Sequence, residues 1–357
     1  MYTPAVIINY EIMMRNLKEI QDLCNERGVK LRPHFKAHKT PYFADIQRQL
    51  GAIGFTTAKL AEAELLVNEG FRDILIAYPI VTLENVKRLK EISKKTKVST
   101  IIDSLEGARV LSQGFGNQSL DVLIKIDTGL NRCGIKPNSN EVLNFVKDIL
   151  KLKNLKIKGL LTHGGHSYKG KNIEEIKEIA EAEGKTLLEL KEFLESKGII
   201  IDEISVGSTP TLRYLLEIPK ITEVRPGNYI FNDYTQVSLN TTTIENCALT
   251  VRSTVISRGI GKFIIDAGSK TLGLDKGTHG SEIIKGFGKI LEYPDAEITA
   301  LSEEHGIVKS SILPEIGEKI TIIPNHSCVV MNLAPFVYLE KEGKFLLLEN
   351  KGRGLNY

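Results

Sequence analysis

Apolar residues recur along this chain with two periods that alternate. Residues 5–10 form a short β-rich run. Ile12, Leu17, Ile20, Leu23 and Cys24 then return at helical spacing, and Gly28 is placed as a left-handed stop. Residues 31–40 read as a strand. A helix over 41–50 follows, then a strand over 52–58 and a helix over 60–69 that ends at Gly70. The run from Asp73 to Tyr78 is continuously apolar after its first residue, as in parallel strands covered on both faces. Leu83, Val86, Leu89 and Ile92 mark the next helix. Strands over 97–103, 121–127, 156–162, 201–206 and 222–225 alternate with helices over 106–113, 140–152 and 173–197. Counted from residue 31, eight strands separated mostly by helices predict a (β/α)8 barrel rather than an open sheet.

Beyond about residue 234 the helical period fades. Short β-rich runs over 248–256, 262–266, 319–323 and 344–348 replace it, with glycines clustered between Gly259 and Gly288. The expected organisation is a barrel over 11–234 and a mainly β domain over 235–357, which residues 1–10 join.

The stretch 31–40 changes the picture from fold to chemistry. Its odd positions, Leu31, Pro33, Phe35 and Ala37, are apolar. Its even positions, Arg32, His34, Lys36 and His38, can all carry positive charge. A basic edge strand would tolerate this. A barrel strand would turn the basic face inward, where several cations without partners are prohibitive and an anionic ligand is called for. A Lys with His at i−2 and i+2 would also have neighbours able to depress its pKa, and a neutral amine attacks carbonyls.

The 357 residues are 42% hydrophobic and 25% charged with a net charge of +3, ordinary for a soluble enzyme and without a basic run for nucleic acid. No apolar run spans a membrane, and Glu11, Arg15, Lys18 and Glu19 argue against a signal peptide. Cys24, Cys133, Cys247 and Cys328 are sparse and form no CxxC, so a reducing, cytoplasmic setting is expected.

Barrel active sites lie at the C-terminal strand ends. The fifth end carries Asp127 to Arg132, the sixth His163 to Tyr168, the seventh Gly207-Ser208-Thr209 and the eighth Arg225-Pro226-Gly227-Asn228-Tyr229. Glycine turns on the last two can offer backbone N–H groups to a phosphate, and a strand-one lysine facing them favours a phosphorylated cofactor bound through that lysine. Each turn alone also fits an ordinary glycine turn.

In this order, Pro33-His34-Phe35-Lys36-Ala37-His38-Lys39, Asp127-Thr128-Gly129 to Arg132, Thr162-His163 to Tyr168, Gly207-Ser208-Thr209 and Arg225 to Tyr229 resemble the pyridoxal-phosphate enzymes of the alanine-racemase-like barrel fold (fold type III). With Pro324-Asn325-His326-Ser327-Cys328, the chain is similar to the metal-activated branch that contains D-threonine aldolase and D-serine dehydratase. The resemblance implies that Lys36 forms the Schiff base with pyridoxal phosphate. It puts Arg132 at the phenolic oxygen, His163 against the ring, and Ser208, Thr209, Gly227 and Asn228 at the phosphate. Arg225 or Tyr168 is expected at the pyridine nitrogen. It also implies a homodimer.

His326 and Cys328 stand two apart, so a strand would point both the same way as half of a zinc or manganese site; a core Cys beside a surface His fits the spacing as well. The resemblance favours the metal. Aldolases of the branch often have Asp at the Cys position, whereas Cys resembles the dehydratases and some aldolase-like bacterial relatives. The expected activity is cleavage of a β-hydroxy D-amino acid, first as a D-threonine aldolase and second as a D-serine dehydratase. A racemase, or a non-catalytic cofactor binder, fits the residues less well. Racemases lack the metal pair, and the small binders lack a β domain. His279, His305, Glu303 and Glu304 carry no assigned role.

Overall fold

The structure, a computed structural model, describes residues 1–277 and 284–357; His279 lies outside them. The chain opens with strand β1 (Ala5–Asn9) and helix α1 (Tyr10–Arg27), which the Asn9 side chain caps by accepting the Ile12 N–H and which ends at left-handed Gly28. Strands and helices then alternate: β2 (Lys30–Leu31), α2 (Pro41–Leu50), β3 (Phe55–Thr57), α3 (Leu60–Asn68), β4 (Ile74–Ile76) and α4 (Leu83–Ser93). The series continues with β5 (Val98–Ile102), α5 (Leu105–Phe115), β6 (Leu120–Lys125), α6 (Ser139–Leu150), β7 (Leu155–Leu161) and α7 (Ile173–Ser196). It ends with β8 (Glu203–Val206), α8 (Leu212–Leu215), β9 (Glu223–Val224) and α9 (Tyr234–Ser238).

Strands β2 to β9 form one eight-stranded sheet in the order β2-β9-β8-β7-β6-β5-β4-β3, and every ladder in it is parallel. A parallel bridge between His34 and Thr56 closes it into a barrel. Leu75, Ile101, Leu123 and Leu161, one from each of four neighbouring strands or their ends, pack together inside.

The remaining elements are β10 (Leu249–Gly259), β11 (Lys262–Ile265), α10 (Ser269–Leu272), β12 (Lys289–Ile290), β13 (Glu297–Leu301), β14 (Gly306–Lys309), β15 (Lys319–Ile323), α11 (Ser327–Leu333), β16 (Phe336–Lys341) and β17 (Lys344–Glu349). With β1 they make a nine-stranded sheet, β11-β14-β13-β12-β15-β10-β1-β16-β17, that folds back through a β10–β11 pairing. β1 runs antiparallel to β10 and parallel to β16. The barrel and the mainly β part expected from the periodicities are therefore both present. Among the described residues no helix is long and apolar enough to cross a membrane.

Two local expectations differ. The basic strand over 31–40 ends at Leu31, and residues Phe35–Ala37 form a 3-10 turn. Pro33 has no N–H to donate to a ladder. The His34 N–H still bonds Pro226 O, but from Ala37 onward the donors are satisfied locally, with Ala37 N–H on His34 O and Lys39 N–H on Phe35 O. The even positions consequently part company. Arg32 points into the barrel, where Nε bonds Glu223 Oε2 at 2.7 Å and Nη1 bonds Asp73 Oδ1 at 2.7 Å. His38 turns towards α2: its Nε2 meets Gln47 Oε1 at 3.1 Å, its Nδ1 accepts the Thr40 N–H, and burial lowers its pKa to about 4.

His326 and Cys328 are not on a strand either. His326 is the N-cap residue of α11, and Cys328 lies in that helix's first turn.

Arg32 and Glu223 are almost wholly buried. Truncating one partner of such a pair leaves the other charge unsolvated. Arg32→Met should therefore cost about 3–5 kcal/mol in a denaturant titration. A loss under about 1 kcal/mol would mean that water or another cation already serves Glu223.

Candidate active site

A cavity of about 530 Å³ opens at the C-terminal ends of the barrel strands, where the β part covers them. The barrel contributes His34, Lys36, Lys59, Glu62, His163, Tyr168, Ser208, Thr209, Arg225, Gly227 and Asn228; Asp275, His326, Cys328 and Asn332 come from the covering part. Every predicted cofactor or metal residue except Arg132 lines this space. Arg132 lines an adjoining recess of about 40 Å³ together with Lys36, His163 and Arg225, beside the barrel-interior residues Ile101 and Leu161. His305 bonds Ser302 in an exposed turn, and Glu303 and Glu304 pair with Lys270 there.

The 3-10 turn holds Lys36 over the barrel mouth. Desolvation lowers its pKa; Arg132 and Arg225 push it the same way, while Cys328 and Glu62 oppose. A lysine so placed holds more of the neutral amine. Burial also drives His34 and His163 well below the ordinary histidine value, with Lys36 as the next contributor for each. His163 Nδ1 lies 3.1 Å from Gly207 O, and a carbonyl only accepts, so this nitrogen carries the proton. Arg225 donates to Ser205 Oγ at 2.6 Å and to the Val206 and Thr162 carbonyls; burial lowers it only to about 10, so it remains a cation. Burial raises the pKa of the Tyr168 hydroxyl far above the usual range.

The ends of β8 and β9 present backbone donors to the cavity. Among the described residues, the backbone N–H groups of Thr209, Gly227 and Asn228 donate to no protein acceptor. Gly227 packs so tightly that a Cβ would stand 3.2 Å from His34 Cβ and 3.3 Å from Ala37 Cβ. Unspent donors beside a lysine of lowered pKa suit a phosphorylated carbonyl compound. The side chains of Ser208 and Asn228 are otherwise engaged: Ser208 Oγ with Ser167 and Thr211, Asn228 with Asp233 and Ser327. Asn228 keeps its backbone N–H unspent, whereas the Ser208 N–H donates to Thr211 Oγ1.

Opposite Lys36, His326 bonds both Cys328 and Asp275, with Nδ1 3.5 Å from Asp275 Oδ2. Burial would lower the pKa of His326, but Cys328 and Asp275 raise it to about 10. No cluster of three or more His, Cys, Asp or Glu able to hold a metal occurs among the described residues. The donor set at this place is thus an imidazole and a thiol, which fits an ion that keeps positions for water and substrate.

The comparisons with known proteins fall on this framework. Residues 8–235 match the family model "Alanine racemase, N-terminal domain", and residues 248–339 match "Putative serine dehydratase domain". The chain belongs to the alanine-racemase-like family of pyridoxal-phosphate enzymes, in its branch of dehydratases and aldolases. It is 31% identical over 345 residues to the D-threo-3-hydroxyaspartate dehydratase of Delftia sp. (strain HT23), covering 91% of this chain and 90% of that one. The structure of that enzyme superposes with a TM-score of 0.91 over 98% of this chain and 97% of its own. Further structures of it include a cysteine-to-alanine variant in the metal-free form and a histidine-to-alanine variant, the two substituted positions standing two apart as His326 and Cys328 do. The D-serine dehydratase of Dictyostelium discoideum is 29% identical, with 92% of this chain and 90% of that one covered. A D-threonine aldolase from Filomicrobium marinum superposes with a TM-score of 0.89 at 26% identity, over 100% of this chain and 97% of that one.

Three side chains of the site escaped the sequence reading. Glu62 is buried on α3, accepts the Ala58 N–H at 2.7 Å and pairs with Lys39 Nζ at 3.3 Å. Its signal was present: it shares a helix face with Leu66, four residues on, where an unpaired charge would be costly. Asp275 and Asn332 had no local signal.

Three lysines, Lys36, Lys39 and Lys59, border the cavity. Borohydride treatment of the protein loaded with pyridoxal phosphate, followed by peptide mapping, should label Lys36 alone. A label on Lys39 or Lys59 would refute the assignment. Gly227→Val should weaken cofactor affinity at least about 10-fold, by crowding the unspent donors, as read by titrating the apoprotein.

Proposed function

We propose that this protein is a pyridoxal-phosphate- and metal-dependent lyase of β-hydroxy D-amino acids, and that it acts as a dehydratase. The observation that carries the reading is that His326 and Cys328 line the same cavity as Lys36. The cofactor, when bound, supplies an electron sink for the substrate's Cα, and the ion supplies a Lewis acid for its β-hydroxyl.

The chain's own groups divide the rest of the work. The N–H groups of Thr209, Gly227 and Asn228 hold the phosphate, Lys36 holds the carbonyl end, and His163 and Arg225 border the ring. Once substrate has displaced it, Lys36 Nζ is the base for the Cα proton, and burial lowers its pKa in the direction that task favours. His326 and Cys328 hold the ion beside the departing hydroxyl. Zinc suits an imidazole–thiolate pair best; manganese is the alternative.

The thiol at position 328 sets the preference. It agrees with the dehydratase whose metal-free form is a cysteine variant, and it reverses the order expected from the sequence. A second reading, retro-aldol cleavage of D-threonine to glycine and an aldehyde, is supported by the likeness to D-threonine aldolase along the whole chain. It would use the same pair to bind the β-alkoxide.

Product analysis separates the two. Incubation with D-threonine, D-serine and D-threo-3-hydroxyaspartate should release ammonia and a 2-oxo acid. Glycine plus an aldehyde would establish the aldolase instead, and exchange of the Cα proton without cleavage would point to a racemase.

Chelation should abolish turnover while leaving the fold and the visible absorbance of the Lys36-bound cofactor intact, and added Zn²⁺ or Mn²⁺ should restore it. His326→Ala should lower kcat at least about 100-fold, the order of effect expected on losing a Lewis acid. Full turnover in protein shown by elemental analysis to be metal-free would remove the ion from the reading.

A further inference from the structure

We propose that Glu183, on the outer helix α7, is a positioning residue for the cofactor's phosphate. It is 1% exposed and lies outside the cavity, and the chemistry proposed above makes no use of it. It shares the buried stripe of α7 with Ala180, Leu187 and Leu190, so a carboxylate stands where the helix otherwise presents apolar groups to the barrel. A buried charge is retained at such a place only with strong partners.

Its partners are two strand ends. Oε1 accepts the Gly207 N–H at 3.0 Å, beyond β8. Oε2 lies against Gly164, beyond β7, where any Cβ would collide with it. The carbonyl of the same residue, in the next peptide unit, accepts the His163 Nδ1–H. Gly207 has a φ of +109°, a conformation that side chains rarely adopt and that glycine supplies without steric cost. Glu183 therefore fixes in one grip the turn that presents the Thr209 N–H and the carbonyl that orients His163.

Position and charge make opposite forecasts. A carboxylate close to a phosphate dianion repels it, so if Glu183 acted only through its charge, neutralising it would tighten phosphate binding. If it acts by holding the turn, every variant that loses an acceptor weakens phosphate binding, although a charge has been removed.

The inference rests on pyridoxal phosphate being the cofactor, and the experiment separates the two. Apoprotein is titrated with pyridoxal phosphate and with pyridoxal, which lacks the phosphate, in the wild type, Glu183→Ala and Glu183→Gln. Wild type should prefer the phosphorylated compound; a lack of preference would sink the cofactor reading itself. Glu183→Ala should reduce that preference at least about 10-fold, as expected for a lost charged acceptor. Glu183→Gln, which keeps the bond to Gly207 only, should fall between. A merely structural carboxylate would lower the melting temperature and leave the ratio of the two affinities unchanged. An unchanged ratio, or tighter phosphate binding in the Gln variant, overturns the proposal. Should the Ala variant not fold, the near-isosteric Gln variant and Gly164→Ala, which displaces the carboxylate from the other side, give the same reading.

Discussion

The site depends on one buried carboxylate. Asp233 is wholly inaccessible to solvent, and burial raises its pKa. It is tolerable only because three donors converge on it: the Gln236 N–H, the Asn228 side-chain amide and the Ser327 N–H. Two of those donors belong to different parts of the molecule. Asn228 ends the phosphate seat of the barrel, and Ser327 begins the helix that carries Cys328. Ser327 Oγ returns to Asn228 Oδ1 at 2.6 Å, and Tyr234 and Thr235 bond the carbonyls of Pro324 and Asn325. The separation between the phosphate seat and the His326–Cys328 pair is thereby set by hydrogen bonds rather than by the packing of two smooth surfaces. A reaction that needs one substrate to meet both requires that.

A second polar chain runs through the barrel itself. Asp73, Arg32, Glu223, Ser205 and Arg225 are linked in that order, with Ser205 Oγ donating to Glu223 and accepting from Arg225. The ends differ in exposure. Asp73 borders solvent and keeps a lowered pKa despite some burial, through Arg32 and Lys97, whereas Arg225 faces the cavity. Strands β2 and β9 are only two residues long, so their ladders contribute little pairing. The Arg32–Glu223 bond joins the same two strands from within and supplements those ladders. The arginine that borders the cofactor space thus belongs to the framework that closes the barrel.

Most of the barrel was legible because its signals are periodic and local. The helices from α3 to α7 bury one face each, and the β4 run is apolar through and through. What failed was geometry on the scale of a few residues. Parity along 31–40 assumed a continuous strand, and Pro33 breaks it. The spacing of His326 and Cys328 gave the right neighbourhood from the wrong element, since a helix N-terminus also brings such a pair together. Asp233, Glu183 and Asp275 act through partners on other elements: Asp233 meets Ser327 at a separation of 94, Glu183 meets Gly207 at a separation of 24, and Asp275 meets His326. No local pattern encodes those partners. Glu183 could have been suspected, because a carboxylate on an apolar stripe calls for an explanation.

The inward basic face inferred from 31–40 survives with other members. Arg32 is neutralised by Glu223 and Asp73, and His38 is uncharged against Gln47. Within the cavity, Glu62 is matched by Lys39 and Asp275 by His326. That leaves Lys36 and Arg225, with Lys59 resting on the Tyr78 ring at 4.3 Å, as cations with no carboxylate within ion-pair distance among the described residues. Two of these three come from strand ends adjacent to the unspent N–H donors. An anion entering the cavity therefore meets positive charge that no protein carboxylate has cancelled, in surroundings where solvent screens it weakly. A phosphate and an amino-acid carboxylate are what such a balance accommodates. Burial holds Lys36 low in pKa, and Arg132 and Arg225 act on it in the same direction, against Cys328 and Glu62.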